Sequence, residues 1–302
     1  MGRQLLDFIV YSNFFIAFCA LVLTYETFCL LHLPVMLNWY LLLIFLCTVF
    51  VYSLHYFIKS KKERSDSRLD WCRKNRSLLL AIIILSFFLI TGGIIWHYKL
   101  ILIKNGDLNY SNLAWFILIP ILAMCYSYPL IPWNKKSLRQ VGWLKMASLS
   151  FIWSFTTVLL PLLMYPVNNE VENSVTQTSI LFIHRFFFIT SLVFLFNIND
   201  YEEDKQDGIK TIAVILGPLK SLQTGKWVVV IVNTMTSLLL LYYFDLHHIA
   251  FFAVLLTPVI FLFEFYHRFS GQKDEAGFVL RHDGLMILKA LLLIFAVLTF
   301  SS

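Results

Sequence analysis

The sequence predicts an all-α integral membrane protein: a bundle of about nine transmembrane helices around a central cavity that opens to the cytoplasmic side. Three observations predict it. Hydrophobic residues make up 59% of the chain and charged residues only 14%, where a soluble domain carries about 25% charged residues. The apolar residues arrive in long blocks rather than at amphipathic spacing, the mark of spanning helices. The basic residues gather in alternate loops.

Spanning a hydrocarbon core of about 30 Å takes about 20 helical residues. Nine apolar runs reach that length, near 5–24, 37–58, 77–98, 111–131, 143–165, 177–199, 225–244, 247–267 and 283–300. The first, preceded by Arg3, is long for a signal h-region and lacks a small-residue cleavage site, so it reads as a retained span. After the second run comes "KSKKERSDSRLDWCRKNR", carrying Lys59, Lys61, Lys62, Arg64, Arg68, Arg73, Lys74 and Arg76. "NKKSLRQ" follows the fourth, with Lys135, Lys136 and Arg139. The loops after the sixth and eighth add Lys205, Lys210, Lys220, Lys226, Arg268 and Lys273. The loop "YPVNNEVENSV" has two glutamates and no cation, while Lys99 and Lys104 make the loop after the third run a mild exception. By the positive-inside rule the N-terminus and the even-to-odd loops are cytoplasmic. No linker or low-complexity segment interrupts the pattern, so 1–302 reads as one domain.

The net charge of +6 matches loops that meet anionic headgroups rather than nucleic acid. Five cysteines without CxxC spacing imply neither a disulfide framework nor a zinc site.

The stretch "FNINDYEEDKQDGIKT", Phe196 to Thr211, interrupts this greasy chain with Asp200, Glu202, Glu203, Asp204 and Asp207, five of its 18 acidic residues. On a helix continuing from the sixth run, Asp200 and Asp204 project from one face, with Asp207 a turn further on. Like charges at that spacing repel unless a cation sits between them. Carboxylates in pairs, completed by water and substrate phosphate, are how proteins hold Mg²⁺, so the spacing predicts a divalent-metal site at the cytoplasmic mouth. A run of charges past a span also reads as a solvated loop. Lys210 lies close by, and Arg185 lies inside the sixth run, where a charge usually marks a functional path. Arg185 with His184 reads equally as an interhelical hydrogen-bonding pair or as a transporter's substrate path, although no inverted repeat accompanies it.

At this point the chain resembles the UbiA-type intramembrane prenyltransferase superfamily, whose members have nine transmembrane helices and two Asp-rich cytoplasmic motifs that hold a prenyl diphosphate through Mg²⁺. "NDYEEDKQDGIKTIAVILG", Asn199 to Gly217, is similar to the second motif, DxxxD followed by Gly, a basic residue, Thr and an apolar stretch ending in Leu-Gly. "YSYPLIPWNKKSLRQ", Tyr126 to Gln140, resembles the family's Tyr-x-Tyr-Pro-Leu segment, and "DGLMILKALLL", Asp283 to Leu293, the start of its last helix. The first motif, NDxxDxxxD, belongs where "YSLHYFIKSKKERSD", Tyr52 to Asp66, stands, and there no acidic residue precedes Glu63.

The resemblance implies transfer of a prenyl group from an allylic prenyl diphosphate to a lipophilic acceptor, in a multi-pass protein of a bacterial-type inner (cytoplasmic) membrane. It implies catalytic Asp200 and Asp204, Mg²⁺ held by Asp200, Asp204 and Asp207, and diphosphate contacts from Arg185, Lys210, Lys135, Arg139, His55, Lys59 and Tyr126. Glu202 and Glu203 remain solvated neighbours. The missing first motif leaves an alternative open: a catalytically inactive relative that binds a prenyl lipid or a partner protein.

Overall fold

The computed structural model describes residues 2–33, 39–61, 67–105, 121, 123–126, 128, 137–164, 175–244, 249–268 and 275–300. Every regular element among them is helical. In chain order they are α1 (Gly2–Tyr11), α2 (Phe14–Leu30), α3 (Trp39–Lys59), α4 (Ser67–Lys74), α5 (Arg76–Asn105), a 3₁₀ turn (Leu138–Gln140) and α6 (Gly142–Ser154). A π-turn (Phe155–Leu159) joins α6 to α7 (Leu160–Met164), followed by α8 (Val175–Asn199), α9 (Tyr201–Gln206), α10 (Ile212–Leu216), α11 (Pro218–Tyr243), α12 (Ile249–Arg268) and α13 (Glu275–Phe300).

Six of the described helices are long and apolar enough to cross a membrane, and seven if the bent pair α1–α2 counts as one span. The fourth predicted run, 111–131, lies mostly outside the described residues. The apolar faces of these helices are turned outward: Leu85, Phe88, Ile95 and Trp96 on α5 are each at least 61% exposed. Apolar surface on that scale needs lipid against it. The chain is a multi-pass integral membrane protein.

The helices pack in a continuous series: α5 on α3, α3 on α2, α2 on α13, α13 on α12, α12 on α11, α11 on α8, and α8 on α6. Residues of α2, α3, α6, α8 and α13 line the cavity described below.

The first predicted span needs correction. A single helix over 5–24 is replaced by α1 and α2, which meet at 62°. The break is at Asn13, in the left-handed region at φ 68°, a conformation Asn tolerates better than most residues. Its side chain holds the turn in place, donating to Ser53 Oγ at 3.1 Å and accepting from Arg68 Nη2 at 2.7 Å. α1 then lies against α13, with Val10 and Tyr11 packed among Ala276, Phe278 and Val279.

Two devices hold the bundle. In the interior, Glu26 of α2 faces Arg185 of α8 at 3.2 Å and Lys289 of α13 at 2.5 Å, and all three are at most 2% exposed. The Arg185 guanidinium also donates to Leu23 O at 2.9 Å and to Thr157 Oγ1 at 3.1 Å. Thr157 belongs to the π-turn, whose origin is local. Pro161 has no N–H to offer the Thr157 carbonyl four residues before it, and the Thr27 hydroxyl donates to that carbonyl instead, at 2.8 Å. The Tyr40 hydroxyl reaches the neighbouring Thr156 carbonyl at 3.3 Å.

The second device is a close backbone contact. A Cβ on Gly142, at the start of α6, would lie 1.9 Å from the Lys210 carbonyl oxygen, so only Gly lets α6 touch the loop that follows α9.

Two outcomes follow. Glu26→Gln leaves two cations in the interior without a carboxylate and lowers stability by about 3–5 kcal/mol, whereas Lys289→Met leaves the one-to-one Glu26–Arg185 pair and costs far less. Thermal unfolding in detergent checks the order, and equal losses would refute it. Gly142→Ala forces α6 off the Lys210 backbone, which costs about 1–3 kcal/mol in the same measurement.

Candidate active site

The acidic stretch folds as three short pieces, each set by a local rule. α8 runs to Asn199, and Asp200 turns the chain into α9, with the Asp204 N–H donating to Asp200 O at 2.8 Å. α9 ends at Gly208, left-handed at φ 68°. The Ile209 N–H reaches back to Asp204 O at 2.8 Å and closes the end of the helix. Thr211 caps α10 by accepting from Val214 N–H at 3.3 Å. Gly217 (φ 83°) ends α10, and Pro218 opens α11. The Gly208, Thr211 and Gly217 of the motif are therefore its turns and cap.

This geometry aims Asp200 and Asp204 at α6, a helix that supplied none of the residues predicted for the site. Lys145, in the first turn of α6 and 3% exposed, puts its Nζ 2.8 Å from both carboxylate oxygens of Asp204 and 3.4 Å from Asp200 Oδ2. A cation in the first turn opposes the helix dipole by about 0.3–1 kcal/mol, which the two carboxylates outweigh. Burial raises the Asp204 pKa, with Lys145 pulling against it.

A cavity of about 250 Å³ opens beside this cluster. His55, Tyr56, Arg68, Tyr126, Arg139, Lys145, Asn197, Asp200, His282 and Asp283 surround its polar end. Tyr40, Ile44, Cys47, Leu160 and Ile189 line the remainder. Tyr40 and Tyr56 both line it, and their separation along α3 corresponds to about 24 Å at 1.5 Å per residue. The cavity is thus a long apolar channel with charge at one end.

The charged groups of that end are tied together. Arg139 donates to His55 Nε2 at 3.0 Å; a guanidinium has no acceptor, so the imidazole accepts there. Arg139 also lies 3.7 Å from Glu203 Oε1, and the Lys59 ammonium is 3.1 Å from the same oxygen. Burial works against the Arg139 charge, but Tyr126, Asp200 and Glu203 outweigh it and hold its pKa above the usual arginine value. The Arg68 guanidinium stacks on the Tyr56 ring at 3.7 Å. Burial lowers its pKa, but Tyr56 and Glu275 offset this and leave the value raised. The His282 ring nitrogens face Asp283 Oδ1 at 2.9 Å and Leu192 O at 2.8 Å.

Of the residues predicted for the site, the structure gathers His55, Tyr126, Arg139 and Asp200 around the cavity. Asp204 stands just behind them, 1% exposed and held by Lys145. Lys59 turns to Glu203, which is a bridge between two cations rather than the solvated neighbour expected from sequence. Arg185 does not line the cavity; it is closed into the cluster with Glu26. The Lys210 and Asp207 side chains are exposed and outside the lining. Lys135 lies outside the described residues. Lys145 is absent from the predicted set, although a lone cation in the fifth apolar run is the sort of residue that marks a site. Arg68 figures there only as a loop cation.

The implied Mg²⁺ can be tested against these donors. Mg²⁺ needs oxygen ligands in near-octahedral array and commonly takes one or two carboxylates with substrate phosphates. Here both oxygens of Asp204 are engaged by an ammonium. The facing end of α3 presents His55 in place of a carboxylate. A metal seated between Asp200 and Asp204 does not fit this arrangement.

No curated protein and no solved structure is matched by the chain. The model of the UbiA prenyltransferase family matches residues 75–288, more than half of the chain. The match takes in the Asn199–Gly217 motif and begins after the Tyr52–Asp66 segment that lacks the first one. Apolar helices around a channel, a DxxxD segment at its charged end and this match together lead to one conclusion: the chain belongs to the UbiA prenyltransferase family.

Proposed function

We propose that the protein is a membrane prenyltransferase that moves a prenyl group from an allylic prenyl diphosphate to a lipophilic acceptor. The observation that carries this reading is the channel itself, apolar along its length with Arg68, Arg139 and Lys145 at one end. That polarity matches a substrate with a diphosphate head and an isoprenoid tail. The charged end faces the cytoplasm if the alternate basic loops set the orientation.

In this reading the diphosphate lies against Arg139, Arg68 and Lys145. Guanidinium groups bind phosphate oxygens in pairs, and fixed cations stabilise the charge that builds on the leaving diphosphate as the allylic C–O bond breaks. The prenyl carbon then bears positive charge among Tyr52, Tyr56, Tyr126 and Trp153, all of which line the channel, and aromatic faces stabilise cations. The Tyr52 hydroxyl accepts from Trp153 Nε1 at 3.1 Å, which fixes both rings. The acceptor attacks the prenyl carbon from within the channel, and the proton it gives up leaves with the released diphosphate. The family is generally Mg²⁺-dependent, but a metal between Asp200 and Asp204 takes no part in this route, because those donors do not fit one.

The specific departure at His55 favours a second reading, a catalytically inactive relative that binds a prenyl lipid or a partner protein. One experiment separates the two. Purified protein is incubated with radiolabelled allylic diphosphates of several lengths and a membrane extract, with Mg²⁺ present. A lipid-soluble labelled product with release of diphosphate is the expected result. Bound prenyl diphosphate without release under any condition would establish the inactive reading. Arg139→Ala is expected to weaken prenyl diphosphate binding by roughly tenfold or more, the loss of a charge-assisted contact of about 1.5–3 kcal/mol. Unchanged affinity would remove Arg139 from the site.

A further inference from the structure

We infer that Lys145 is the resident cation of the DxxxD motif and that this protein binds its diphosphate substrate through side-chain cations, without a divalent metal. The inference rests on the prenyl diphosphate reading above and specifies how that site handles charge.

Three observations carry it. The first is placement. The Lys145 ammonium lies between the two aspartates, 2.8 Å from both oxygens of Asp204 and 3.4 Å from Asp200 Oδ2. This is where the repulsion between them requires positive charge. An ammonium there supplies one of the two positive charges a divalent metal would have brought, and the Arg139 guanidinium, which interacts electrostatically with both aspartates, supplies the other. The second is access. Lys145 and Asp200 line the cavity, whereas Asp204 does not and is 1% exposed. Asp204 thus holds the lysine from behind while the ammonium stays in reach of a diphosphate entering the channel. The third is the supply of donors. Arg68 and Arg139 line the same cavity as Lys145, and a guanidinium carries five N–H donors, so Arg139 keeps donors beyond those turned to His55 and Glu203.

The test is equilibrium binding of non-hydrolysable prenyl thiolodiphosphates of several chain lengths to the full chain in lipid nanodiscs, with either EDTA or Mg²⁺. Wild-type affinity is expected to change by less than roughly threefold between the two. Lys145→Met is expected to lose roughly tenfold or more in EDTA and to recover part of it with Mg²⁺, as the freed carboxylates take the ion. Lys145→Arg should keep the EDTA binding. Because Lys145→Met leaves the buried Asp204 without its cation and can fail to fold, Asp200→Asn supplies a separate test that leaves the Asp204–Lys145 pair intact. With Lys145 as the binding cation, Asp200→Asn binds in EDTA as tightly as wild type or more tightly. With a metal held by the aspartates, it binds far more weakly in Mg²⁺. A wild-type affinity that falls roughly tenfold or more in EDTA would overturn the inference and leave the prenyltransferase reading standing. Absence of binding in both conditions would overturn the prenyltransferase reading, and this inference with it.

Discussion

Glu26 is the constraint on which the rest of the structure depends. Its carboxylate lies in the interior between Arg185 of α8 and Lys289 of α13, and a charge removed from water persists only when paired and hydrogen-bonded. One acid therefore brings three helices to a common point. Through Arg185 it also reaches Thr157, in the turn that Pro161 imposes on the helix facing the channel. The channel wall at Thr156 and Thr157 has its shape because carbonyls released by the π-turn found hydroxyl donors on α2 and α3. Polar groups inside a membrane bundle must satisfy one another, and here that requirement sets the helix arrangement.

The charged end of the channel follows the same rule with different partners. Lys145 meets Asp204 and Asp200; Glu203 meets Lys59 and Arg139; Arg68 meets Asn13 and the Tyr56 ring. These pairings join α4, α6, α9 and the ends of α3 and α8, so the groups facing the channel are oriented in advance. Preorganised charge is the form that stabilises a developing anion at least reorganisation cost. The Asn13–Arg68 bond further links this end to the bend between α1 and α2, which is why the break in the first apolar run sits where it does.

Much of this was legible in the residues. Long apolar blocks announced the spanning helices, since no other structure satisfies its backbone in lipid. The DxxxD spacing announced a cation between the aspartates, because like charges one turn apart require one. The identity of that cation was not legible. Lys145 stands 55 residues before Asp200, and nothing in the spacing of one loop states which helix will face it. Arg185 was legible as a costly buried charge, yet its partner Glu26 lies far earlier in the chain on another helix. Asn13 was hidden because an asparagine within an apolar run carries no local sign that it will take a left-handed conformation.

By itself, then, the sequence determined the class of solvent this chain needs, the helices that meet it, the turns written by Gly208, Gly217 and Pro218, and the acidic segment at the end of α8. These are properties of composition, period and backbone chemistry, which act between neighbours in the chain. Only the tertiary structure decided which charge meets which: Lys145 rather than open solvent between the aspartates, and Glu26 rather than the channel beside Arg185. Pairing of buried charges is a matter of distance in space, set by helix packing across the whole bundle, and local spacing does not encode it.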